Sequence, residues 1–368
     1  MHAGLSEQEY LRYNRQIKLD EFGEKSQERL KNSSVFIVGA GGLGCPVLQY
    51  LSACGVGTIG IVDYDKVDLS NLHRQILYSQ NDIGKYKVEV LKQYMSDNFP
   101  HINFNCFNAK LNSTNIVDFL NDYEIVIDGS DNFITKYLVN DACVILNKPL
   151  IFGSIYKFEG QISVFNYKDG PTYRCLYPEM GELDNCSEIG VIGTLPGIVG
   201  TIMSNEAIKV LTGIGDTLSG KLLVIDSFGS NFSTFNIQPD PENKNISGLN
   251  NDHPISETND REISYGQLEA LLADTKKEIL LIDVRDEREH LNANIGGTNI
   301  PLARLENDFQ QISEDLDLTN AASVVFYCKT GFRSKKAMDF VSQNQNLNFF
   351  SLRGGLDGIN LSDYDESK

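Results

Sequence analysis

The stretch SVFIVGAGGLG, Ser34–Gly44, decides the fold of the first part of the chain. Its first five residues are mostly apolar and rich in β-branched side chains, which predicts a buried strand. The run GLGCPVLQYLSACG then has helical spacing and a glycine stop at Gly55. Between strand and helix, Gly39, Gly41 and Gly44 form G-x-G-x-x-G, which permits a tight turn and close backbone approach to a ligand. The free N–H groups at the start of the helix favour an anion there.

Strand-like and helix-like runs alternate from this stretch to about Phe165. The runs GTIGIVDYD, HINFNCFN and YEIVIDGSDN predict strands, and GKYKVEVLKQYMSDNFP and NFITKYLVNDACVILNKP predict helices, the first ended by Pro100. Such alternation is typical of a mostly parallel, doubly wound α/β sheet. The runs QISVF and KLLVIDSF are expected to extend this sheet as antiparallel strands. The predicted fold class is therefore α/β, a doubly wound, Rossmann-like mixed sheet.

Polar side chains follow the predicted strands at the edge where a ligand would bind. Asp63 closes the second strand, where a carboxylate can accept hydrogen bonds from ribose hydroxyls. Further amide, cationic and carboxylate side chains stand near strand ends or at a helix start: Asn71, Arg74, Lys85, Lys87, Asp128 and Asp131. Two cations with an aspartate suit a triphosphate and Mg²⁺, because the cations take developing charge and the carboxylate holds the metal. Such a glycine turn is commonest in nicotinamide-dependent oxidoreductases, whose reaction does not need these cations and carboxylates. An oxidoreductase of this kind stays as the alternative.

A change of composition divides the chain into two parts. Residues 237–262, IQPDPENKNISGLNNDHPISETNDRE, are rich in Asn, Asp, Pro and Ser, so they cannot bury enough apolar surface to order themselves. We expect a first domain over 1–238, a flexible linker over 239–260 and a second domain over 261–368. Strand-like runs EILLIDVRD and SVVFYCK and helix-like runs SYGQLEALLAD and RSKKAMDFVSQNQ predict that the second domain is a smaller α/β unit.

Charge and composition exclude several classes of partner. The formal net charge of −18 argues against nucleic acid and anionic membranes, because both demand a basic footprint. No run approaches the ~20 apolar residues of a membrane span, and the polar start MHAGLSEQEYLRYNRQ does not have the pattern of a secretory signal. Seven scattered cysteines do not suit a disulfide framework. A reducing cytoplasm is the expected location.

Five runs of the first part of the chain together carry a resemblance to a known family: RYNRQI, VGAGGLG, GIVDYDKVDLSNLHRQ, DGSDNFITKYLVNDAC and GSIYKFEGQISVF. The resemblance, which covers roughly Tyr13–Phe228, is to the MoeB/ThiF-type, ubiquitin-activating-like adenylyltransferases. It implies that ATP adenylates the C-terminal glycine of a small β-grasp sulfur-carrier protein. The positions that match the family's ATP and Mg²⁺ residues are Gly42, Asp63, Ser70, Asn71, Arg74, Lys87, Asp131 and Asn132, with Asp131 holding the metal. Arg15 matches an arginine that reaches across a dimer interface, so the resemblance also implies a homodimer.

One cysteine of the second part stands in a distinctive setting. Cys328 follows the apolar run SVVFY, and a loop precedes the next predicted helix, consisting of Cys328, Lys329, Thr330, Gly331, Phe332 and Arg333. Backbone N–H groups curled round the sulfur, a helix dipole and nearby cations, Lys329, Arg333, Lys335 and Lys336, would stabilise a thiolate or persulfide. Cysteine phosphatases place the arginine six positions after the cysteine. Here the spacing is five, and the smaller loop suits a single sulfur atom.

Together with LIDVRDEREHLNANIGGTNIPL, this loop makes Ser264–Ile359 resemble a rhodanese domain. The resemblance implies that Cys328 carries a persulfide taken from a donor such as a cysteine desulfurase or thiosulfate. The two resemblances together imply that the activated carrier captures this sulfur and leaves with a C-terminal thiocarboxylate. Molybdopterin, thiamine, cysteine and tRNA thiolation routes all use such enzymes, so the carrier stays open. A non-catalytic protein that only docks a carrier is the other alternative.

The cysteines of the first part fall into three groups. Cys186, in LDNCSEIGVIGTLPG, matches the family's crossover cysteine, and either attacks the acyl adenylate or is idle and exposed; we favour the first. Cys175, in TYRCLYP, stands alone where many relatives have C-x-x-C, because Thr172 takes the first position and the second pair is missing. One thiolate cannot build a structural zinc site, so no structural zinc is expected. The remaining four are expected to be small buried hydrophobic residues: Cys45, Cys54, Cys106 and Cys143.

Overall fold

The computed structural model describes residues 4–178, 190–246, 248–249, 261–273, 279–316, 323–329, 331–344, 348–356 and 359. The chain divides into two compact units, Met1–Asn251 and Asp252–Lys368. Within the described ranges, no helix has the length and apolar character needed to cross a membrane.

The first unit is a sheet with helices on both faces. Its described strands are β1 Ser34–Val38, β2 Thr58–Val62, β3 Asn103–Phe107, β4 Ile125–Asp128, β5 Leu150–Tyr156, β6 Glu159–Phe165, β7 Lys221–Asp226 and β8 Asn231–Asn236. Its described helices are α1 Glu7–Ile17, α2 Gly23–Lys31, α3 Gly44–Cys54, α4 Lys87–Asn98, α5 Ile116–Leu120, α6 Phe133–Ile145, α7 Tyr173–Leu176 and α8 Leu195–Thr212.

The strands lie in the order β3-β2-β1-β4-β5-β6-β7-β8. The first five strands in chain order are parallel, and β6, β7 and β8 each pair antiparallel. This confirms the predicted doubly wound mixed sheet. The chain builds outward from β1 to β2 and β3 on one side and to β4 and β5 on the other. A topological switch point therefore lies between β1 and β4, where ligands of such sheets bind.

Strand β1 shows why the sheet could be recognised. Val35 and Ile37 pack with residues of α3, α4 and α8 on one face, while Phe36 and Val38 pack with residues of α5 and α6 on the other. All four side chains are buried. A parallel strand covered on both faces is a continuous apolar run, which is the pattern of SVFIV.

The second unit is a parallel sheet in the order β11-β10-β12-β13-β9, which confirms the predicted smaller α/β unit. Its described strands are β9 Glu262–Ile263, β10 Ile279–Asp283, β11 Thr298–Asn299, β12 Ser323–Tyr327 and β13 Phe349–Leu352. Its described helices are α9 Tyr265–Ala273, α10 Glu287–Asn292, α11 Leu302–Asn307, α12 Phe309–Asp315 and α13 Phe332–Asn344. Every residue of the central strand β12 is buried, and the strand ends directly before Cys328.

The start of the predicted linker lies against the first unit. The backbone N–H of Asp240 donates to the Cys175 Sγ at 3.3 Å, and the Thr172 hydroxyl donates to the carbonyl oxygen of Asn243 at 3.2 Å. The ammonium group of Lys244 donates to the carbonyl oxygen of Asp169 at 2.6 Å. Residues 250–260 lie outside the described part, and the domain boundaries at 238 and 261 stay a prediction.

Candidate active sites

The G-x-G-x-x-G turn folds back on itself between β1 and α3. Gly39 has a φ of +90°, a left-handed conformation that glycine adopts without strain. A Cβ added to Gly44 would lie 2.0 Å from the carbonyl oxygen of Gly39, so a larger residue does not fit there. No side chain among the described residues caps the N-terminus of α3. The turn therefore combines close backbone approach with an open helix start, as an anion requires.

Asp63 joins this turn to the end of β2. Its Oδ2 accepts a hydrogen bond from the backbone N–H of Ala40, and its Oδ1 accepts one from the backbone N–H of Asp65, both at 2.7 Å. Burial raises the pKa of Asp63, while the charge of Lys87 and these amides act against the rise. Lys87 is itself buried and donates to the Asp65 Oδ2 at 2.9 Å. The Asp63 carboxylate keeps lone pairs that can accept further hydroxyl donors.

The segment after β2 brings a cation beside the glycine turn. The Asp68 Oδ1 accepts hydrogen bonds from the backbone N–H and the hydroxyl of Ser70, at 2.8 and 2.5 Å. Arg74 Nη1 donates to the carbonyl oxygen of Ser70 at 3.0 Å, and the Asn71 amide lies 3.4 Å from the Ser70 Oγ. A Cβ added to Gly42 would lie 3.7 Å from the Cδ of Arg74. The structure therefore places Arg74 against the turn that the sequence assigned to phosphate.

Two buried oxygen atoms near the turn, the Gln75 Oε1 and the Ser130 Oγ, have no hydrogen-bond partner within the part of the chain that the structure describes. The Gln75 Nε2 lies 3.7 Å from the Cβ position of Gly41. Ser130 follows Gly129, whose carbonyl oxygen is 3.0 Å from the Cβ position of Gly39. Buried polar atoms are normally hydrogen-bonded, so these two call for a donor from a polar ligand or water. Sequence reasoning missed both residues, although each adjoins a predicted site residue.

The two aspartates after β4 differ in their surroundings. Asp128 is 1% exposed, and its Oδ2 lies 3.4 Å from the ammonium nitrogen of buried Lys136. Asp131 and Asn132 are exposed. The Asn132 Oδ1 accepts a hydrogen bond from the backbone N–H of Thr135 at 2.8 Å and caps α6. Asp131 is therefore the carboxylate of this pair that can reach a metal ion.

Two cations named by the sequence lie elsewhere on the first unit. Arg15 is exposed in the last turn of α1. Lys85 pairs with Asp82 at 3.0 Å. Across the described ranges, no hydrogen bond or ion pair joins either cation to the glycine turn.

The residues around the turn fit a nucleotide with a divalent metal. The open start of α3 and Arg74 suit phosphate oxygens, and Asp63 with the two unpartnered oxygens suits hydroxyl or amino donors. The described residues contain no group of three or more His, Cys, Asp or Glu that could hold a metal alone. Mg²⁺ is usually bound by one or two carboxylates together with phosphate oxygens and water, and an exposed carboxylate such as Asp131 fits that pattern.

Cys328 lies in a loop whose backbone turns toward its sulfur. The side chain is fully buried, the backbone N–H of Gly331 donates to the Sγ at 3.2 Å, and the Ser334 Oγ lies 3.7 Å away. Gly331 has a φ of +90°, which suits glycine and allows its amide to face the sulfur. A Cβ added to Gly355 would lie 2.4 Å from the Cys328 carbonyl oxygen, so a second glycine segment packs closely on the loop. Such amide donors stabilise a thiolate or a persulfide.

The cations expected around this sulfur are held by glutamates. Arg333 donates two hydrogen bonds to the Glu289 carboxylate at 2.8 and 2.9 Å, and these hydrogen bonds hold the pKa of Glu289 below its ordinary value. The lysines that follow also have carboxylate partners: Lys335 with Glu262 at 3.5 Å and Lys336 with Glu306 at 3.4 Å. Lys329 is exposed. The donor that reaches the sulfur among the described residues is therefore the Gly331 amide, because the Ser334 hydroxyl donates to the carbonyl oxygen of Gly331.

Two loop residues are described incompletely. Thr330 lies outside the described residues, and Phe332 is described only as the first backbone position of α13.

The Asp-Val-Arg motif forms a buried ion pair after β10. Arg285 donates to the Asp283 carboxylate through Nε at 2.9 Å and Nη2 at 2.6 Å, and His290 Nδ1 lies 2.9 Å from the same carboxylate. Burial alone would raise the pKa of Asp283, but the hydrogen bonds from Arg285 and His290 bring it below its ordinary value. This motif fixes the turn that leads into α10.

The cysteines of the first unit differ in burial. Cys186 lies outside the described residues. Cys175 accepts hydrogen bonds at 3.3 Å from the backbone N–H groups of Thr172 and Asp240. Burial raises the pKa of Cys45 to about 12. Cys45 and Cys143 are buried as expected, whereas Cys54 and Cys106 are only half-buried, contrary to the prediction. Burial nevertheless raises the pKa of the Cys54, Cys106 and Cys143 thiols.

The family and domain matches of the two parts define an adenylating α/β enzyme that carries a sulfurtransferase unit. The chain belongs to the ThiF family, whose model matches residues 13–246, and it carries a rhodanese-like domain at residues 264–362. It is therefore an adenylyltransferase with a sulfurtransferase domain, as the sequence motifs predicted.

Comparison with known proteins gives relatives of both parts. The chain is 39% identical to the probable adenylyltransferase/sulfurtransferase MoeZ of Mycobacterium tuberculosis, over 96% of this chain and 93% of the relative. It is 46% identical to the sulfur carrier protein adenylyltransferase of Thermus thermophilus, over 64% of this chain and 90% of the relative. A crystal structure of E. coli MccB with MccA-N7isoASN matches with a TM-score of 0.57 at 22% identity, covering 65% of this chain and 74% of that one. The last similarity is one of fold.

Proposed function

We propose that this chain activates the C-terminal glycine carboxylate of a small ubiquitin-like, β-grasp sulfur-carrier protein ending in Gly-Gly, and then supplies it with sulfur from Cys328. The observation that carries the proposal is the presence in one chain of two anion-handling backbone turns, one at Gly39 and one at Gly331. The names of the relatives, adenylyltransferase/sulfurtransferase and sulfur carrier protein adenylyltransferase, support the same pair of steps.

The first step joins two anions and therefore needs alignment and positive charge more than a strong base. A carboxylate oxygen of the carrier attacks the α-phosphorus of ATP, a new P–O bond forms, and pyrophosphate leaves. Arg74 beside the glycine turn and Lys87 at the start of α4 would balance the charge. Mg²⁺, held by Asp131, would neutralise phosphate charge. Asp63 would orient the ribose.

The second step uses the acyl adenylate as an electrophile. The terminal sulfur of a persulfide on Cys328 attacks the acyl carbon, a C–S bond forms, and AMP leaves. A thiolate from a cellular thiol then attacks the Cys328 sulfur of the acyl disulfide. The carrier departs as a thiocarboxylate, and Cys328 is left in a disulfide that a second thiol must reduce. The persulfide itself would come from a cysteine desulfurase or from thiosulfate.

Exposed aromatic side chains at one sheet edge support a protein substrate. Strand β5 runs parallel to β4, so its end at Tyr156 lies at the same edge as the crevice. The turn after it carries Phe158, which packs on Phe228 of the β7–β8 turn at 5.3 Å between ring centroids. These rings are 45% and 82% exposed, and Phe232 is 59% exposed. Strands are spaced about 4.8 Å apart, so a few extended tail residues would span from this aromatic edge to β4.

We also propose a homodimer working in the cytoplasm. Arg15 is exposed on α1, and two apolar side chains of the same region, Leu11 and Leu19, are also exposed. An arginine in this position is free to reach the phosphates of a partner subunit, as the family resemblance implies. The seven cysteines are scattered along the sequence and do not suit a disulfide framework, which favours a reducing compartment.

Carrier-dependent ATP–pyrophosphate exchange tests the proposed adenylation, using candidate carriers of the molybdopterin and thiamine routes from the same genome. We expect R74A and D131A to lower exchange at least ~100-fold, since each removes charge stabilisation in the crevice. R15A should lower exchange, whereas R12A, another exposed arginine of α1, should not. Near-normal exchange in folded R74A and D131A would refute the site.

Mass spectrometry of the carrier tests the sulfur step. After incubation with ATP and thiosulfate, sulfur should replace one oxygen of the carrier's terminal carboxylate. A carrier that binds but keeps its mass would favour the docking alternative over catalysis.

A further inference from the structure

A buried ammonium group lies beneath the loop that follows β4. Lys136, near the start of α6, is 4% exposed, and its Nζ is 3.4 Å from the Asp128 Oδ2. The same nitrogen donates to the carbonyl oxygens of Ser130 at 2.7 Å and Gly153 at 3.0 Å. It also lies 5.1 Å from the centroid of the Phe152 ring. Three oxygen partners account for all the donors of an ammonium group.

The partners of Lys136 hold the loop from two sides. The backbone N–H of Ser130 donates to the Asp128 Oδ1 at 2.9 Å, and the carbonyl oxygen of Ser130 accepts from Lys136. One residue earlier, Gly129 packs on the nucleotide turn, with its carbonyl oxygen 3.0 Å from the Cβ position of Gly39. The loop is thus fixed between the ammonium group and the glycine turn.

The next two residues of this loop are proposed site residues. Asp131 stands between Ser130, which Lys136 binds, and Asn132, which caps α6 through the backbone N–H of Thr135. A residue between two anchored neighbours has little backbone freedom, so the position of its Cα and the direction of its Cα–Cβ bond are set by them.

Stability alone does not account for a lysine at this position. Burying two charges costs desolvation, and replacing a buried ion pair with apolar or neutral groups is often neutral or stabilising. Lys136 does donate a hydrogen bond to the carbonyl oxygen of Ser130 in the loop, and an apolar side chain could not supply this bond.

We infer that Lys136 is a positioning residue for adenylation, which holds the β4–α6 loop so that Asp131 meets the Mg²⁺ of the nucleotide. The inference rests on the proposed function, because that function assigns the metal to Asp131. Lys136 acts through the Ser130 carbonyl oxygen and is not itself a ligand of nucleotide or metal.

Calorimetric titration of the full chain with ATP, in Mg²⁺ and in EDTA, tests this role without a carrier. The key variants are K136M/D128N and K136Q/D128N, which remove both charges and so leave no unpaired buried carboxylate. K136R keeps a cationic donor. K148M is the matched control, because Lys148 also donates to two backbone carbonyl oxygens, of Asn121 and Tyr123, but lies beyond the other end of α6. D131A is the reference for losing the metal contact.

In both double variants, the increase in ATP affinity that Mg²⁺ causes should be about tenfold smaller than in wild type, because the Asp131 carboxylate is displaced. In EDTA, both should bind ATP as wild type does. K136R should recover most of that gain, and K148M should keep all of it. Thermal unfolding identifies which double variant is folded and can be interpreted.

A folded double variant with the full Mg²⁺ gain would overturn the role of Lys136. If D131A also keeps the gain, the proposed metal role of Asp131 fails and the inference falls with it. If D131A loses the gain and the double variants keep it, only the inference about Lys136 fails.

Discussion

Replacing Gly44 by alanine tests whether the close folding of the glycine turn makes the nucleotide crevice. The new Cβ would lie 2.0 Å from the carbonyl oxygen of Gly39 and 3.0 Å from its carbonyl carbon. Both are backbone atoms, so the turn must open by about 1 Å, a displacement that can cost about a hundredfold in rate when it misplaces reacting groups. Overpacking of this kind also lowers the free energy of unfolding by about 1–3 kcal/mol. We expect G44A to lose pyrophosphate exchange by about a hundredfold, with weaker ATP binding.

Two other glycines make this result interpretable. A Cβ at Gly41 would meet only the Gln75 Nε2 at 3.7 Å, so G41A should unfold like wild type yet bind ATP more weakly, because phosphate approaches that backbone. Gly266 in α9 has nothing within 4 Å of its Cβ position, so G266A should leave exchange unchanged. The assay is carrier-dependent exchange over a range of ATP concentrations, with urea unfolding of each variant. A wild-type KM for ATP and a wild-type unfolding midpoint in G44A would refute the reasoning.

Three further predictions concern the second unit and its connection. Hydrogen bonds from Arg333 hold the pKa of Glu289 below its ordinary value of 4.5. The contribution of this pair to the free energy of unfolding is therefore complete above pH 4.5. It is lost as the pH falls through the lowered pKa of the folded state. Because both side chains are partly exposed, the loss is ~1 kcal/mol or less, and E289Q should flatten the pH dependence of urea unfolding; an unchanged slope would contradict this. C328S should abolish sulfur transfer to the carrier while pyrophosphate exchange continues, and parallel loss of exchange would count against separate sites. Deleting residues 251–259 of the predicted linker should slow sulfur transfer more than exchange, and equal loss of both would argue against a role of the linker in sulfur transfer.

The central elements of the first unit could be predicted because their signals are local. SVFIV is apolar on both faces, and Gly55 ends α3 with a φ of +91°, as its place after a helical run predicted. Strand β8 gave no such signal. All residues of NFSTFN are exposed, so nothing in their pattern shows burial, and only pairing with β7 makes them a strand.

The residue types of the candidate sites could be predicted, but their pairings could not. Asp128 and Asp131 follow the same strand and look equivalent in sequence, yet Asp128 turns into the core toward Lys136. That choice depends on a carbonyl oxygen of β5, at Gly153, which no local pattern reveals. In the same way, the cations after Cys328 appeared free because their glutamate partners come from distant segments.

The two candidate sites differ in the groups that they offer to an anion, and this difference affects which ligand each site can bind. Among the described residues, the nucleotide crevice presents an uncapped helix start, together with two buried oxygens, of Gln75 and Ser130, that lack a hydrogen-bond partner. Around Cys328 the arginine is already held by Glu289, and the donor at the sulfur among the described residues is the backbone amide of Gly331. A phosphate dianion entering this loop would have to break the Arg333–Glu289 pair, whereas a terminal persulfide sulfur would not. We therefore expect the loop to favour a persulfide sulfur over phosphate.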